Sequence, residues 1–132
     1  MPSVMRVQHV SVPMPPDGND EARAFYGGVL GLPEVVPPST LNRDRLVWFN
    51  LGEDGHELHV FTYQDFAFGC PGQHLCLQVD DLEAYREKIL AAGLEILPEP
   101  EIHNRPRFSV RDPFRNRIEI TQIIGAYDEL DA

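Results

Sequence analysis

The chain has 132 residues, 42 % of them hydrophobic, and a formal net charge of −10. That length suits one domain rather than two large ones, and the acidic balance argues against nucleic acid and anionic membrane surfaces as partners. No apolar run approaches the roughly 18 residues of a membrane span, and the N-terminus MPSVMRVQHV lacks a charged segment followed by an apolar one, so the expected compartment is the cytoplasm.

In chain order, residues 4–12, VMRVQHVSV, read as a strand. Asn19-Asp20-Glu21 supplies a helix cap and early negative charge. Ala22, Phe25, Tyr26, Val29 and Leu30 follow at helical spacing, and Gly31 suits the stop. Short strands are expected at 34–37, 45–51 and 57–63, the last two joined by the turn Gly52-Glu53-Asp54-Gly55. Cys70 and Cys76 have neither zinc-ribbon nor CxxC spacing, and a reduced pair is expected.

The second half runs in the same order. A strand is expected at 74–79, where Leu75, Leu77 and Val79 alternate with Cys76 and Gln78. Asp80 or Asp81 caps a helix carrying Leu82, Tyr85, Ile89 and Ala92 on one stripe, and Gly93 ends it. Strands follow near 94–97, 107–112 and 117–124, the final hairpin turning at Asp112-Pro113-Phe114-Arg115-Asn116. GLPEV at 31 and GLEIL at 93 are 62 residues apart, and His9 and His74 are 65 apart. The three-residue difference is one loop insertion, PMPPDGN. The chain therefore reads as two copies of strand, helix, three strands: one domain over residues 1–132, made of module 1 (4–63) and module 2 (73–124). Each copy is too small for an independent core. The fold class is α+β, with tandem βαβββ modules forming a curved, half-open eight-stranded sheet around a cavity and the helices outside.

On the face turned from the helices lie His9 and Ser11, and in the second copy His74, Cys76 and Gln78. Glu119 stands between Ile118 and Ile120, an unusual place for a carboxylate because burying it unpaired is costly. Glu57 and His59, two apart, share a face of their strand. Taken singly, a strand histidine is usually a core or edge residue, and Glu119 is an ion-pair partner for Arg111 or Arg117. Taken together, two histidines at repeat-equivalent strand starts and a carboxylate flanked by isoleucines suit a borderline divalent ion: zinc, nickel, manganese, cobalt or iron(II). Calcium and magnesium prefer all-oxygen sites. His56 falls in the hairpin turn and reads as solvated. His103 lies in PEPEIHNRPR, a candidate lid. Arg105 and Arg107 are candidate carboxylate or phosphate contacts, with at least one an ordinary surface arginine. Trp48, Phe49, Phe66 and Phe68 are candidate pocket walls, with core packing the better reading for Trp48.

The stretches QHVSV, EARAFYGGVLGL, ELHVF, GQHLCLQVDDLEAYREKILAAGLEI and RFSVRDPFRNRIEI cover nearly the whole chain. In combination they resemble the vicinal oxygen chelate superfamily, which includes glyoxalases, bleomycin-resistance proteins, fosfomycin-resistance transferases and extradiol dioxygenases. The resemblance implies paired βαβββ modules holding a divalent metal, commonly in homodimers. It carries metal ligands onto His9, His74, Glu119 and one residue of the fourth strand. A 62-residue offset makes that residue Glu57; the apolar framing of Leu58-His59-Val60 makes it His59, which is preferred, leaving Glu57 as the catalytic base. Ser11, Cys76 and Arg107 are the expected substrate contacts. The turn DPFRN departs from the family's DPxGN, and Asn116 is expected to take the left-handed position that glycine fills there. The implied activity is a glyoxalase-like metal-dependent isomerase, lyase or epimerase acting on a small oxygenated metabolite. The alternatives are an extradiol-type dioxygenase, for which His9, His74 and Glu119 alone would suit iron(II), and a drug-sequestering binder.

Overall fold

A computed structural model describes every residue except Glu53, Phe68 and Ala132. The chain divides into two compact units, Met1–Ala67 and Phe68–Ala132. Each is a βαβββ module with a four-stranded mixed sheet, and neither sheet is closed.

The first unit contains β1 (His9–Met14), a short helix α1 (Asn19–Ala22) continuing as a π-helix (Arg23–Val29), β2 (Glu34–Val35), β3 (Leu46–Leu51) and β4 (His56–Thr62). The spatial order is β1-β4-β3-β2, with β1 parallel to β4 and the other pairs antiparallel. The second repeats it with β5 (His74–Gln78), α2 (Leu82–Ala91), β6 (Leu97–Pro98), β7 (Arg107–Arg111) and β8 (Arg117–Thr121), in the order β5-β8-β7-β6. The eight strands thus fall as two sheets of four. Cys70 and Cys76 are free thiols. Among the described residues no helix is long and apolar enough to cross a membrane.

Strand alternation sorts each sheet into two faces. Val12, Met14, Val47, Phe49, Leu58 and Val60 are buried together with Ala22, Phe25, Tyr26 and Leu30 of the helical segment. The Phe25 and Tyr26 rings meet edge to face at 4.8 Å, and Tyr26 reaches Phe49 at 5.8 Å. In the second unit Phe108, Val110, Ile118 and Ile120 are buried, as are Leu82 and Ile89 of α2.

Several boundaries differ from the sequence reading. β1 starts at His9 rather than residue 4, because its parallel partner β4 begins at His56 and the register runs out at His9 opposite Glu57. His56 is the first residue of β4, opposite Leu51, rather than a turn residue. The last strand stops at Thr121. Gly18, not Asn19, is the cap of α1, and the Asn19 amide instead donates to the Asp44 carbonyl at 3.0 Å. The helix then widens into a π-turn, with Leu30 N–H bonding Phe25 carbonyl at 2.9 Å. Two adjacent aromatics, Phe25 and Tyr26, are both buried, and the wider turn keeps both on the core side while Val29 is only half-buried. In α2, Asp81 is the cap and accepts from Ala84 N–H at 3.1 Å, while Ala92 lies exposed just beyond the last turn. In the last hairpin Arg115, not Asn116, takes the left-handed conformation, at φ 72°. Asp112 explains why: its Oδ1 accepts from the backbone N–H groups of Phe114 (2.9 Å) and Asn116 (2.8 Å), and its Oδ2 accepts from the Asn116 amide at 2.8 Å. Those bonds fix Asn116 and leave the reversal to Arg115.

Candidate functional site

The face of the first sheet away from the helix presents His9, Ser11, Trp48, Glu57 and His59. His59 lies flat between two rings, Trp48 at 3.7 Å and 4° and His9 at 4.1 Å and 19°. Its Nε2 is 2.9 Å from Glu57 Oε1. That hydrogen bond is the main reason the Glu57 carboxyl sits below its ordinary value of 4.5; partial burial opposes it, and Gln8, His59 and His9 add smaller lowering effects. His9 Nδ1 is 2.7 Å from Gln8 Oε1, while Gln8 Nε2 donates to the Gly55 carbonyl at 3.3 Å. The Gln8 oxygen therefore accepts from Nδ1–H, and the lone pair of His9 is carried on Nε2. Trp48 is on this face and not in the core, where Phe49 packs. Among the described residues its Nε1 is the one buried side-chain nitrogen or oxygen with no hydrogen-bond partner.

The corresponding face of the second sheet is charged. Glu119, 6 % exposed between the fully buried Ile118 and Ile120, gathers three neighbours. Arg107 Nη1 donates to Oε1 at 2.8 Å, His74 Nε2 lies 3.5 Å from the same oxygen, and Cys76 Sγ donates to Oε2 at 3.1 Å. His74 Nδ1 is 2.8 Å from the Gly72 carbonyl, which can only accept, so Nδ1 carries a proton and Nε2 faces the carboxylate. This is the arrangement that fixes a histidine for metal ligation. The Cys76 thiol is pushed up to about 12, by lost solvation first and then by the hydrogen bond and negative charge of Glu119. Beside this group Arg117 pairs with Glu99, whose Oε1 also accepts from Ser109 at 2.7 Å.

The strand register bears on the choice between Glu57 and His59. His9 is opposite Glu57 and Ser11 opposite His59 in the first module; His74 is opposite Arg117 and Cys76 opposite Glu119 in the second. With His9 and His74 equivalent, His59 occupies the place of Glu119, and Glu57 that of Arg117.

The predicted residues thus fall into two groups, His9, Ser11, Glu57 and His59 in one unit and His74, Cys76, Arg107 and Glu119 in the other. His74 Nε2 faces the Glu119 carboxylate within the second unit, and both His74 and, in the first unit, His9 are anchored through Nδ1. His59 does not offer its ring in the same way, because stacked rings direct their in-plane lone pairs along parallel planes and its Nε2 is on Glu57. Among the described residues no group of three or more His, Cys, Asp or Glu side chains stands close enough to hold an ion.

Other expectations change. Glu119 pairs with Arg107 rather than Arg111 or Arg117. Arg105 donates to the Asn104 and Gly125 carbonyls and lies over the Tyr127 ring at 5.0 Å, so it ties down the C-terminal segment. His103 is exposed in a loop held to that segment by Asn104, which donates to the Ala126 carbonyl at 2.9 Å. A cavity of about 490 Å³ lies between this loop, the start of α2 and Ile124, and of the candidate residues His103, Arg105 and Arg107 line it. Phe66 is half-buried, and Phe68 lies outside the described residues. The anchoring roles of Gln8 and Gly72 escaped the sequence reading, although Gln precedes histidine in both QHVSV and GQHLCL.

The family model of the Glyoxalase/Bleomycin resistance protein/Dioxygenase superfamily matches residues 6–120. A Bacillus anthracis protein described as belonging to the glyoxalase family is 28 % identical, with a TM-score of 0.85 over 93 % of this chain and 98 % of that one. The lactoylglutathione lyase of Agrobacterium tumefaciens is 24 % identical, with a TM-score of 0.66 over 92 % and 95 %. A genomically encoded fosfomycin resistance protein from Listeria monocytogenes is 17 % identical, with a TM-score of 0.72 over 96 % of each chain. At those identities the last two show a shared fold. No curated protein sequence matches the chain.

Proposed function

Because the chain belongs to the Glyoxalase/Bleomycin resistance protein/Dioxygenase superfamily, we propose that it is a metal-dependent, glyoxalase-like isomerase, lyase or epimerase acting on a small oxygenated metabolite. The two units are proposed to be modules of a single domain that works as a homodimer in the cytoplasm. The proposed cofactor is one divalent ion of zinc, nickel, manganese, cobalt or iron(II), held by His9, His74 and Glu119, with His59 joining on leaving its stack. The observation that carries the reading is His74: its Nδ1 is tied to a backbone carbonyl and its Nε2 faces a buried carboxylate.

A bound ion of this kind supplies Lewis acidity to two neighbouring substrate oxygens. This chain's own side chains supply the proton chemistry. Glu57, held below its ordinary pKa by His59, is ionised at neutral pH and takes a proton from the substrate at Oε1 or Oε2. A low pKa makes it a weak base by itself, and the adjoining His59 ring is placed to share the proton. Cys76 keeps its proton well above neutral pH, on the hydrogen bond to Glu119, so it is no thiolate ligand and meets the substrate through its sulfur. Ser11 and Arg107 are the other proposed substrate contacts.

One observation favours a second reading. With His59 stacked and bonded to Glu57, the remaining His9, His74 and Glu119 are two histidines and one carboxylate, the donor set of iron(II) dioxygenases. Elemental analysis of protein purified without a metal affinity column, wild type and His74→Ala, tests both. The expected result is a stoichiometric ion in wild type, depleted about tenfold or more in His74→Ala. Wild-type protein that neither retains nor takes up metal would sink both readings and favour a drug-sequestering binder. Iron with oxygen uptake on a catechol would select the dioxygenase.

A further inference from the structure

The second unit carries a cavity that the proposed chemistry does not use. It measures about 490 Å³, within the roughly 300–1,000 Å³ of small-molecule sites, and lies between the start of α2 and the loop ahead of β7. Its loop wall is held in shape by the segment that follows β8. Asn104 takes the left-handed conformation at φ 61°, its carbonyl accepts from Ile124 N–H at 3.1 Å, and its amide donates to the Ala126 carbonyl at 2.9 Å. Gly125 permits that junction, since a Cβ there would stand 2.6 Å from Asn104 Nδ2. The Pro106 carbonyl accepts from Gln122 N–H at 3.1 Å and from the Thr121 hydroxyl at 3.0 Å.

Three arginines line the cavity, and their hydrogen bonds tell them apart. Arg107 is fully engaged, with Nη1 on Glu119 and both Nε and Nη2 on the Pro100 carbonyl. Arg86 already has a carboxylate, Glu83, 3.2 Å from its Nε. Arg105 is anchored through Nη1 alone, to the Asn104 and Gly125 carbonyls. Among the described residues no carboxylate pairs with Arg105, and its Nε and Nη2 have no hydrogen-bond partner. Of the lining acids, Glu83 and Glu99 are paired, with Arg86 and Arg117, and Glu101 is exposed. We propose that this cavity binds a small monocarboxylate with an apolar body. The Nε and Nη2 fork of Arg105 holds the carboxylate through two parallel hydrogen bonds. Leu82, Pro100, Pro106 and Ile124 receive the apolar body. One guanidinium without an acid suits one negative charge. A phosphate group, at about −1.5 to −2 near neutral pH, would meet Glu83, Glu99 and Glu101 in the same lining. This site goes beyond the proposed enzyme chemistry and needs no metal.

Hexanoate titrated into the full chain and followed by amide NMR tests this. The signals of Ile102, His103, Asn104, Arg105 and Ile124 should move saturably. Neutral hexanamide should bind wild type at least about tenfold more weakly, and hexanoate should bind Arg105→Gln weaker by a similar factor, because each change removes a charge-assisted contact. Shifts that do not saturate, saturable shifts confined to residues outside the cavity, or undiminished affinity in Arg105→Gln overturn the proposal. Tighter binding of hexyl phosphate than of hexanoate overturns the carboxylate assignment. Arg105 also ties down the C-terminal segment, so a second variant leaves it in place. Ile124 is 63 % exposed, and Ile124→Glu offers Arg105 a competing carboxylate without disturbing the core. It should weaken hexanoate about tenfold; unchanged affinity there overturns the proposal even where Arg105→Gln fails to fold. None of these readouts involves a metal or an assay of activity, so their failure leaves the proposed enzyme reading standing.

Discussion

In the first sheet His59 lies between Trp48 and His9; at the matching register position of the second, Glu119 lies among Arg107, His74 and Cys76. The residue opposite His59 on the neighbouring strand is Trp48, and the residue opposite Glu119 is Ser109. The backbone addresses are the same, but one module fills them with stacked rings and the other with charges. A duplicated βαβββ frame keeps its register because a one-residue slip would turn its apolar face outward. Nothing in that requirement constrains the opposite face, so the two copies are free to differ there.

The sharpest way to break the comparison is to delete the central residue of each face. Glu119→Ala strands a shielded arginine without its carboxylate and should cost about 3 kcal/mol. His59→Ala loses ring stacking and one hydrogen bond and should cost about 1.5 kcal/mol. Urea unfolding of the two variants compares them directly; equal costs would mean that the charge network and the ring stack are energetically alike. Next in size is the reactivity of Cys76. Its thiol is pushed up to about 12, so at pH 8 iodoacetamide should modify it roughly a hundredfold more slowly than a free thiol of pKa about 8.5. A Cys70→Ser background isolates the signal. Glu119→Gln removes the negative charge that helps hold the proton, and modification should then accelerate. Unchanged slowness would assign the whole effect to lost solvation.

Register, not residue identity, separates what the sequence revealed from what it concealed. The two modules, the sequence of strand, helix and three strands along each, and the apolar faces were legible because period-two alternation and the internal repeat report on one-sided burial. His9, His74 and Glu119 stood out because polar residues interrupted that alternation. Arg107 as the partner of Glu119 was not legible: the pair lies diagonally across β7 and β8, and a single strand's pattern carries no information about its neighbour's register. The same holds for Trp48, whose apolar character suggested core packing although its place opposite His59 puts it on the other face. The π-helix was hidden as well, since Phe25 and Tyr26 fit an ordinary helical stripe on paper and only the demand to bury both rings widens the turn.

A smaller contrast lies in the hairpin turns. The first module reverses between β3 and β4 with Gly52 and Gly55 at φ 74° and 73°, whereas the second uses Arg115 at φ 72° between β7 and β8. A non-glycine residue pays for that conformation with a clash between Cβ and the backbone. Arg115→Gly relieves the clash, partly offset by the extra freedom glycine gives the unfolded chain. The expected gain is about 0.5–1 kcal/mol in urea unfolding. A loss would show that contacts of the Arg115 side chain outweigh the strain.

An effect of similar size distinguishes how the two carboxylates are held. Glu57 lies below its ordinary value of 4.5, chiefly through His59. A carboxyl lowered on folding binds its proton more weakly in the native state than in the unfolded chain. Its contribution is therefore complete above about pH 4.5 and disappears as pH falls through the lower native value. Glu57→Gln should cost about 1 kcal/mol at pH 7, where a charge-assisted bond to His59 becomes a neutral one. The gap between wild type and variant should close as the pH is taken below 4.5. A gap that persists unchanged at pH 3 would show that the Glu57 charge contributes nothing and that shape alone holds His59 in its stack. A closing gap would mean that even the ring-dominated face depends on one ionised carboxylate, as the other face does on Glu119.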